Sequence, residues 1–170
     1  MKKIFTTIIL ALTITISCKA QLNNLNETEL MYGIKFNNIT LKNITVSNGN
    51  LYQIKSFFGN DIQQEINNTS PSLSKDFYNN NNISLGFEDQ SDTGNNYNLS
   101  SIYVLNSSIT INVQSLSIKL GDHKSKFSGL IFNPNSNSYV FTNENKGTIT
   151  LSFKIDNQTD KVSEIKLIVY

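Results

Sequence analysis

The sequence predicts an α+β domain in which two short helices pack on a mainly antiparallel β-sheet. Apolar residues alternate at period two in several short stretches, the mark of half-buried strands. Two further stretches, 51–58 and 124–132, instead carry apolar residues at helical spacing. The chain, 170 residues long, has room for one ordinary domain. An all-β sandwich is the alternative, favoured if those two helices fail to form.

Ile34-Lys35-Phe36 and Ile39-Thr40-Leu41, split by Asn37-Asn38, predict a small hairpin. Leu51, Ile54, Phe57 and Phe58 form a helical stripe. Ser47 or Asn48 is placed to cap its start, and Gly59 to take the left-handed position after its end. Residues 60–82 are rich in Asn, Ser and Asp and read as loop, with a strand or turn near Phe77-Tyr78. Ile83 to Phe87 and Ile102 to Leu105 alternate cleanly around the polar loop Asp89 to Asn98, which predicts a long-looped hairpin. Ile109 to Val113 and Leu116 to Ile118 continue the period of two. Asp122 is a natural cap for a second helix through Phe127, Leu130 and Ile131, ended by Pro134. Tyr139-Val140-Phe141 is a short strand, and Thr148 to Ile155 with Val162 to Tyr170 form the clearest hairpin. Its last strand does not separate into two faces, so it is either covered on both or bulged. A displacement of 73 residues lays Ile54, Phe57 and Phe58 on Phe127, Leu130 and Ile131. Whether 30–105 and 106–170 are true repeats is left open.

Met1-Lys2-Lys3 followed by the uncharged run Ile4 to Ile16 reads as an export signal over residues 1–17. Thirteen helical residues rise only about 20 Å, too short for a hydrocarbon core near 30 Å. Ile16-Ser17-Cys18 resembles the lipobox of bacterial lipoproteins, in which Cys18 becomes the lipidated first residue. Thr15 and Ser17 depart from the usual pattern. The competing reading is ordinary cleavage after Ala20, which yields a periplasmic or secreted chain and discards Cys18. Lipidation is preferred because the chain's one Cys directly follows the apolar run. Residues 18–29 are then anchor and flexible tether, and 30–170 the single domain.

All 14 basic residues are Lys. The net charge is +1, with 12 Lys against 13 acids once residues 1–17 are removed. A nearly neutral chain has no field to hold a polyanion, so nucleic acid is excluded as a partner. One Cys rules out an internal disulfide and a thiolate zinc cluster. The eight glycines are scattered, with no phosphate-cradling loop and no Gly-x-Ser-x-Gly elbow. No cofactor is implied. His123, the single histidine, sits beside Asp122 among lysines and reads as an exposed first-turn side chain rather than a catalytic base. Glu88 to Gly94 faintly follows a calcium loop, but Ser100 stands where a bidentate Glu is needed, so a solvated turn is preferred. Asp156 and Asp160 read as another solvated turn. Without Trp, a carbohydrate platform is disfavoured; Tyr97, Tyr103 and Tyr139 are candidates for a protein interface, or for the edges of the core. Asn-x-Ser/Thr triplets such as Asn38-Ile39-Thr40 and Asn157-Gln158-Thr159 follow from the 26 Asn and call for no glycan.

A short helix ending in an apolar pair and a breaker, followed by a hairpin, resembles the unit of the SmpA/OmlA (BamE-like) lipoprotein family. Leu51 to Gly59 with Ile83 to Leu105, and Gly121 to Phe132 with Thr148 to Tyr170, carry the resemblance. Its doubling resembles the β-lactamase inhibitor protein fold. The chain as a whole resembles small envelope lipoproteins of Bacteroidota type. The resemblance implies a non-catalytic surface protein that contacts other proteins and transfers no functional residue. The expected function is therefore protein binding, as an assembly accessory or inhibitor-like module, held to a membrane through Cys18. An exported hydrolase built from scattered acids and hydroxyls, and an adhesive or ligand-binding β-rich surface protein, are the alternatives. Intact-mass analysis of the purified N-terminus is expected to find an acylated Cys18; an unmodified Gln21 terminus refutes the anchor.

Overall fold

The computed structural model describes residues 23–68, 73–79, 82–89, 91, 93–143 and 148–170. The signal, Cys18 and Ala20 lie outside them. Chain order begins with β1 (Asn23–Leu25), a π-helical turn (Glu29–Gly33), β2 (Lys35–Phe36), β3 (Ile39–Thr40), α1 (Leu41–Val46) and α2 (Leu51–Phe58). A meander follows: β4 (Gln63–Asn67), β5 (Leu73–Tyr78), β6 (Ile83–Asp89) and β7 (Tyr97–Val104). After a second small hairpin, β8 (Ile111–Val113) and β9 (Leu116–Ile118), comes a 3₁₀ turn (Lys124–Phe127). Then come β10 (Phe132–Asn133), β11 (Ser138–Asn143), β12 (Ile149–Ile155) and β13 (Val162–Val169).

The fold is α+β. One large sheet runs β1-β11-β12-β13-β7-β6-β5-β4, with β10 beside β1 on β11; only the β1–β11 pair is parallel. A small antiparallel sheet runs β3-β2-β8-β9. The core lies between the inner face of the large sheet and a layer made of the helices and the small sheet. Phe77, Leu85, Phe87, Phe141, Leu151, Phe153, Ile165 and Leu167 from the sheet join Phe36, Leu41, Ile44, Ile54 and Ile111 in one buried cluster. Alternation produces this arrangement directly, because period-two residues share a strand face.

The two halves have the same element order: a small hairpin, a helical segment and a four-strand meander. Strands at matching places in that order meet, β2 with β8 and β7 with β13, both antiparallel. Ile83-Ser84-Leu85-Gly86-Phe87 of β6 occupies the place of Ile149-Thr150-Leu151-Ser152-Phe153 of β12. Each half holds an edge-to-face phenylalanine pair, Phe77–Phe87 at 5.6 Å and Phe141–Phe153 at 5.9 Å. The 73-residue displacement matched helical stripes, and the strands correspond at a shorter one because the intervening loops differ in length.

Several expectations are corrected. Residues 23–25, assigned to the flexible tether, form β1, with Leu25 fully buried. The amide of Asn23 stands in for sheet bonds there: its Nδ2 donates to the carbonyls of Ile131 and Val140, and its Oδ1 accepts from Ile131 N–H. Glu29 and Asn26 cap each other reciprocally at the start of the next turn. Leu41 begins α1 rather than ending a strand, because the Thr40 hydroxyl accepts from Asn43 N–H. The cap of α2 is Asn50, which accepts from Gln53 N–H, and Asn48 and Gly49 form the left-handed turn between the helices. Gly59 ends α2 at φ 111°, ψ 159°, positive as expected but in the extended, glycine-only region. Residues 60–82 hold β4 and β5 rather than a loop. The second helix is only the single turn Lys124–Phe127, because Ser128 is extended and Gly129 takes φ 85°. His123, not Asp122, caps it. The last strand is bulged: its register with β12 shifts between Lys154 and Ile155, letting both Val162 and Ile165 face the core.

A Cβ at Gly49 would stand 3.3 Å from Phe87 Cγ and 3.4 Å from Phe77 Cε2, so the α1–α2 turn presses directly on the first ring pair. Phe87→Ala is expected to cost about 3–5 kcal/mol in denaturant unfolding. Gly49→Ala should cost more than Gly94→Ala, whose φ is also positive but whose Cβ meets nothing within 4 Å. The backbone conformation accounts for about 1–2 kcal/mol in both, and the excess at Gly49 measures the ring contact.

Candidate functional site

The inner face of the large sheet is closed by the core, and the outer face carries the polar side chains of the same strands. Cross-strand register orders them in rows. One row reads Tyr78, Ser84, Tyr103, Lys166, Ser152, Val140; the next reads Asp76, Gly86, Ser101, Ile168, Thr150, Thr142. Period two alone dictates this, since each is one residue out of step with a core residue.

The face is electrically divided. At the β4–β6 end, Glu65 lies opposite Asp76, and Glu88 is on the neighbouring strand. Burial, then the charges of Glu65 and Glu88, push the Asp76 carboxyl above its ordinary value. Gly86 opposes Asp76 and leaves a notch: a Cβ there would lie 2.7 Å from Ser101 Oγ, 3.0 Å from Ser100 Oγ and 3.4 Å from Asp76 Oδ1. At the β11–β13 end, Ser138, Thr150, Ser152, Lys154, Glu164 and Lys166 line an open groove of about 300 Å³. Lys166 Nζ pairs with Glu164 at 3.3 Å, while Lys154 is exposed at the groove's margin. Hydroxyls, a carboxylate and two ammonium groups can receive a polar, hydrogen-bonding surface. Among the described residues no three His, Cys, Asp or Glu side chains are grouped to hold a metal ion.

Residues singled out from the sequence are dispersed. His123 is exposed and its Nδ1 accepts from Ser125 N–H at 3.2 Å, so it caps a turn. The Asp89 carboxylate is 2% exposed and accepts from Ser91 N–H and Oγ, Asn95 N–H and Asn96 N–H. Both of its oxygens hold the β6–β7 loop together; Asp92 lies outside the described residues. Asp156 accepts from Gln158 N–H, Thr159 N–H and Thr159 Oγ1, and Asp160 pairs with Lys124 at 3.0 Å, so these acids shape a turn. Tyr97 is not an interface residue: it is 4% exposed on the inner face, with Lys75 Nζ 3.8 Å above its ring. Tyr139 is half-buried and stacked on Phe127 at 4.3 Å. Tyr103 alone of the three is exposed, on the outer face. The sequence reading missed Asp76 because the strand holding it lacks alternation, and missed Tyr52, which is 88% exposed on α2.

No protein-family model matches the chain, and no curated protein matches it in sequence. Among solved structures it is similar to a cysteine-rich secretory protein of Staphylococcus aureus, at 17% identity and a TM-score of 0.34. The match covers 68% of this chain and 42% of that one. Among the described residues, no helix is long and apolar enough to cross a membrane.

Hydrogen bonds from the Ser91 hydroxyl foremost, and from backbone N–H groups of the loop, hold Asp89 at about 2 against an ordinary 3.8. A lowered carboxylate stabilises the fold above its unfolded value and loses that contribution as pH falls through its folded one. Acid titration should therefore remove stability between about pH 4 and 2, and Asp89→Ala should flatten that arm while lowering Tm by several degrees at neutral pH. Calcium is expected to leave the wild-type Tm unchanged, because both Asp89 oxygens already have protein donors.

Proposed function

We propose that this chain is a non-catalytic envelope lipoprotein that binds another protein through the outer face of its large sheet. The observation that carries the reading is the division of that face into an acidic end and a lysine-bearing groove. Such a pattern selects a partner of complementary charge and fixes its register on the sheet. Asp89, Asp122, Asp156 and Asp160 are engaged in caps and ion pairs within their own turns, whereas Glu65, Asp76, Glu88 and Lys154 face outward along the sheet. The role is that of an assembly accessory or inhibitor-like module, in keeping with the resemblance to the SmpA/OmlA and β-lactamase inhibitor protein units. Membrane attachment is through lipid on Cys18, at the outer end of a short tether.

The exported-hydrolase reading has one observation of its own, the raised Asp76 beside Glu65 and Glu88 above the Gly86 notch. A carboxyl raised above its ordinary value beside other carboxylates is the kind of asymmetry by which paired acids divide general-acid and general-base roles.

Affinity capture of envelope proteins on the full lipidated chain distinguishes the two, with a chain lacking Cys18 as the anchor control. A protein-binding face predicts a discrete partner that is lost from the Lys154→Glu/Lys166→Glu variant and retained by Asp76→Asn. Saturable turnover of any ester, amide or glycoside that disappears in Asp76→Asn overturns the non-catalytic reading.

A further inference from the structure

The N-terminal segment enters the fold beside an apolar rim that the core does not use. Asn23 is the first residue fixed in the sheet, and its amide grips both the N–H and the carbonyl of Ile131. Ile131 and the adjoining Phe132 are 39% and 38% exposed, whereas the ring behind them, Phe127, is buried. Phe132 leans on Tyr139 at 5.1 Å and Tyr139 stacks on Phe127, so Phe132 is held by an aromatic stack, with Ile131 exposed next to it in the chain.

Cys18 precedes Asn23 by five residues. Five extended residues reach at most about 17 Å, so acyl chains on Cys18 hold the β1 edge close to the bilayer surface. The opposite edge, β4, lies seven strand-to-strand steps away, about 34 Å across the sheet. The tether therefore limits how far the β1 edge can stand off, and the exposed apolar pair selects which part of that edge turns downward. Lys124 and Lys126, in the neighbouring 3₁₀ turn, are each ion-paired, with Asp160 and Asp122. Among the described residues of that turn, both ammonium groups thus have carboxylate partners.

We propose that Ile131 and Phe132 dock on the lipid surface into which Cys18 is anchored, so that the sheet stands with its β1 edge at the membrane and its outer face turned sideways to solvent. This rests on the lipoprotein reading above. Interfacial burial of aromatic and branched side chains beside a lipid anchor adds a second membrane contact, which fixes the orientation of the anchored domain.

The test uses the full lipidated chain in phosphatidylethanolamine–phosphatidylglycerol vesicles with brominated acyl chains. Thioether formation blocks Cys18, so an environment-sensitive fluorophore can be placed on Phe132→Cys, on Ile131→Cys as a second rim site, and on Ile66→Cys at the far edge. Quenching at either rim site should exceed that at Ile66→Cys by roughly threefold or more, as expected for a label at the acyl boundary. It should persist in high salt and when phosphatidylcholine replaces phosphatidylglycerol. Equal quenching at rim and far edge in a membrane-bound chain overturns the proposal and leaves the anchor intact. A rim label shielded from an aqueous quencher yet untouched by bromine assigns the rim to a protein, and also overturns it. A chain that starts at an unmodified Gln21 overturns the anchor reading and this orientation together.

Discussion

Two edge-to-face phenylalanine pairs, one in each half, are the contacts on which the other elements are arranged. Phe77 with Phe87 and Phe141 with Phe153 come from neighbouring antiparallel strands, so each pair ties two strands together on the inner face. What lies above each pair differs. In the first half the α1–α2 turn comes so close that a Cβ at position 49 would press on Phe87 at 3.3 Å, and its φ of +64° favours glycine. In the second, Phe127 from the 3₁₀ turn lies over Phe153 at 5.3 Å. A backbone turn thus covers one pair and a side chain the other. Close packing leaves few other solutions once the rings are set.

The strands facing the core were readable because burial on one side imposes alternation. Ile83 to Phe87 and Ile149 to Ile155 stand out for that reason, as do the helix Leu51–Phe58 and the hairpin turn at Asn37-Asn38. β4 and β5 were hidden because Gln63 to Asn67 form a solvent-washed edge with no burial to pattern them. Leu130 and Ile131 were misassigned to a helix because helical spacing in sequence says nothing of Gly129 breaking the backbone before them. β1 was masked by its shortness: three residues cannot show a period, and one buried leucine looks like chance in a polar stretch.

The candidate site was less legible than the fold. Its groups come from strands far apart in sequence and meet only through register, as when Ser84, Tyr103 and Lys166 fall in one row. Local motifs drew attention to Asp89, Asp156 and His123, and each turned out to organise its own turn. Short polar side chains near a loop satisfy backbone donors more often than they serve a ligand. Asp76 has the opposite character: nothing around it in sequence marks it, and its surroundings are assembled by three strands.

The Asn23 junction has a consequence for self-association. On that side of the sheet, β1 runs parallel to β11 and β10 runs antiparallel to it, so the two pieces point in opposite directions along one border. A strand arriving from another molecule would meet one piece in parallel and the other antiparallel, across a break between two short strands. Ribbon-like polymerisation needs two compatible borders; in the large sheet the β4 border is one strand of five residues, whereas the opposite border is split into pieces of three and two. Strand addition to the large sheet is therefore expected to favour a β4-to-β4 pair over an extending ribbon.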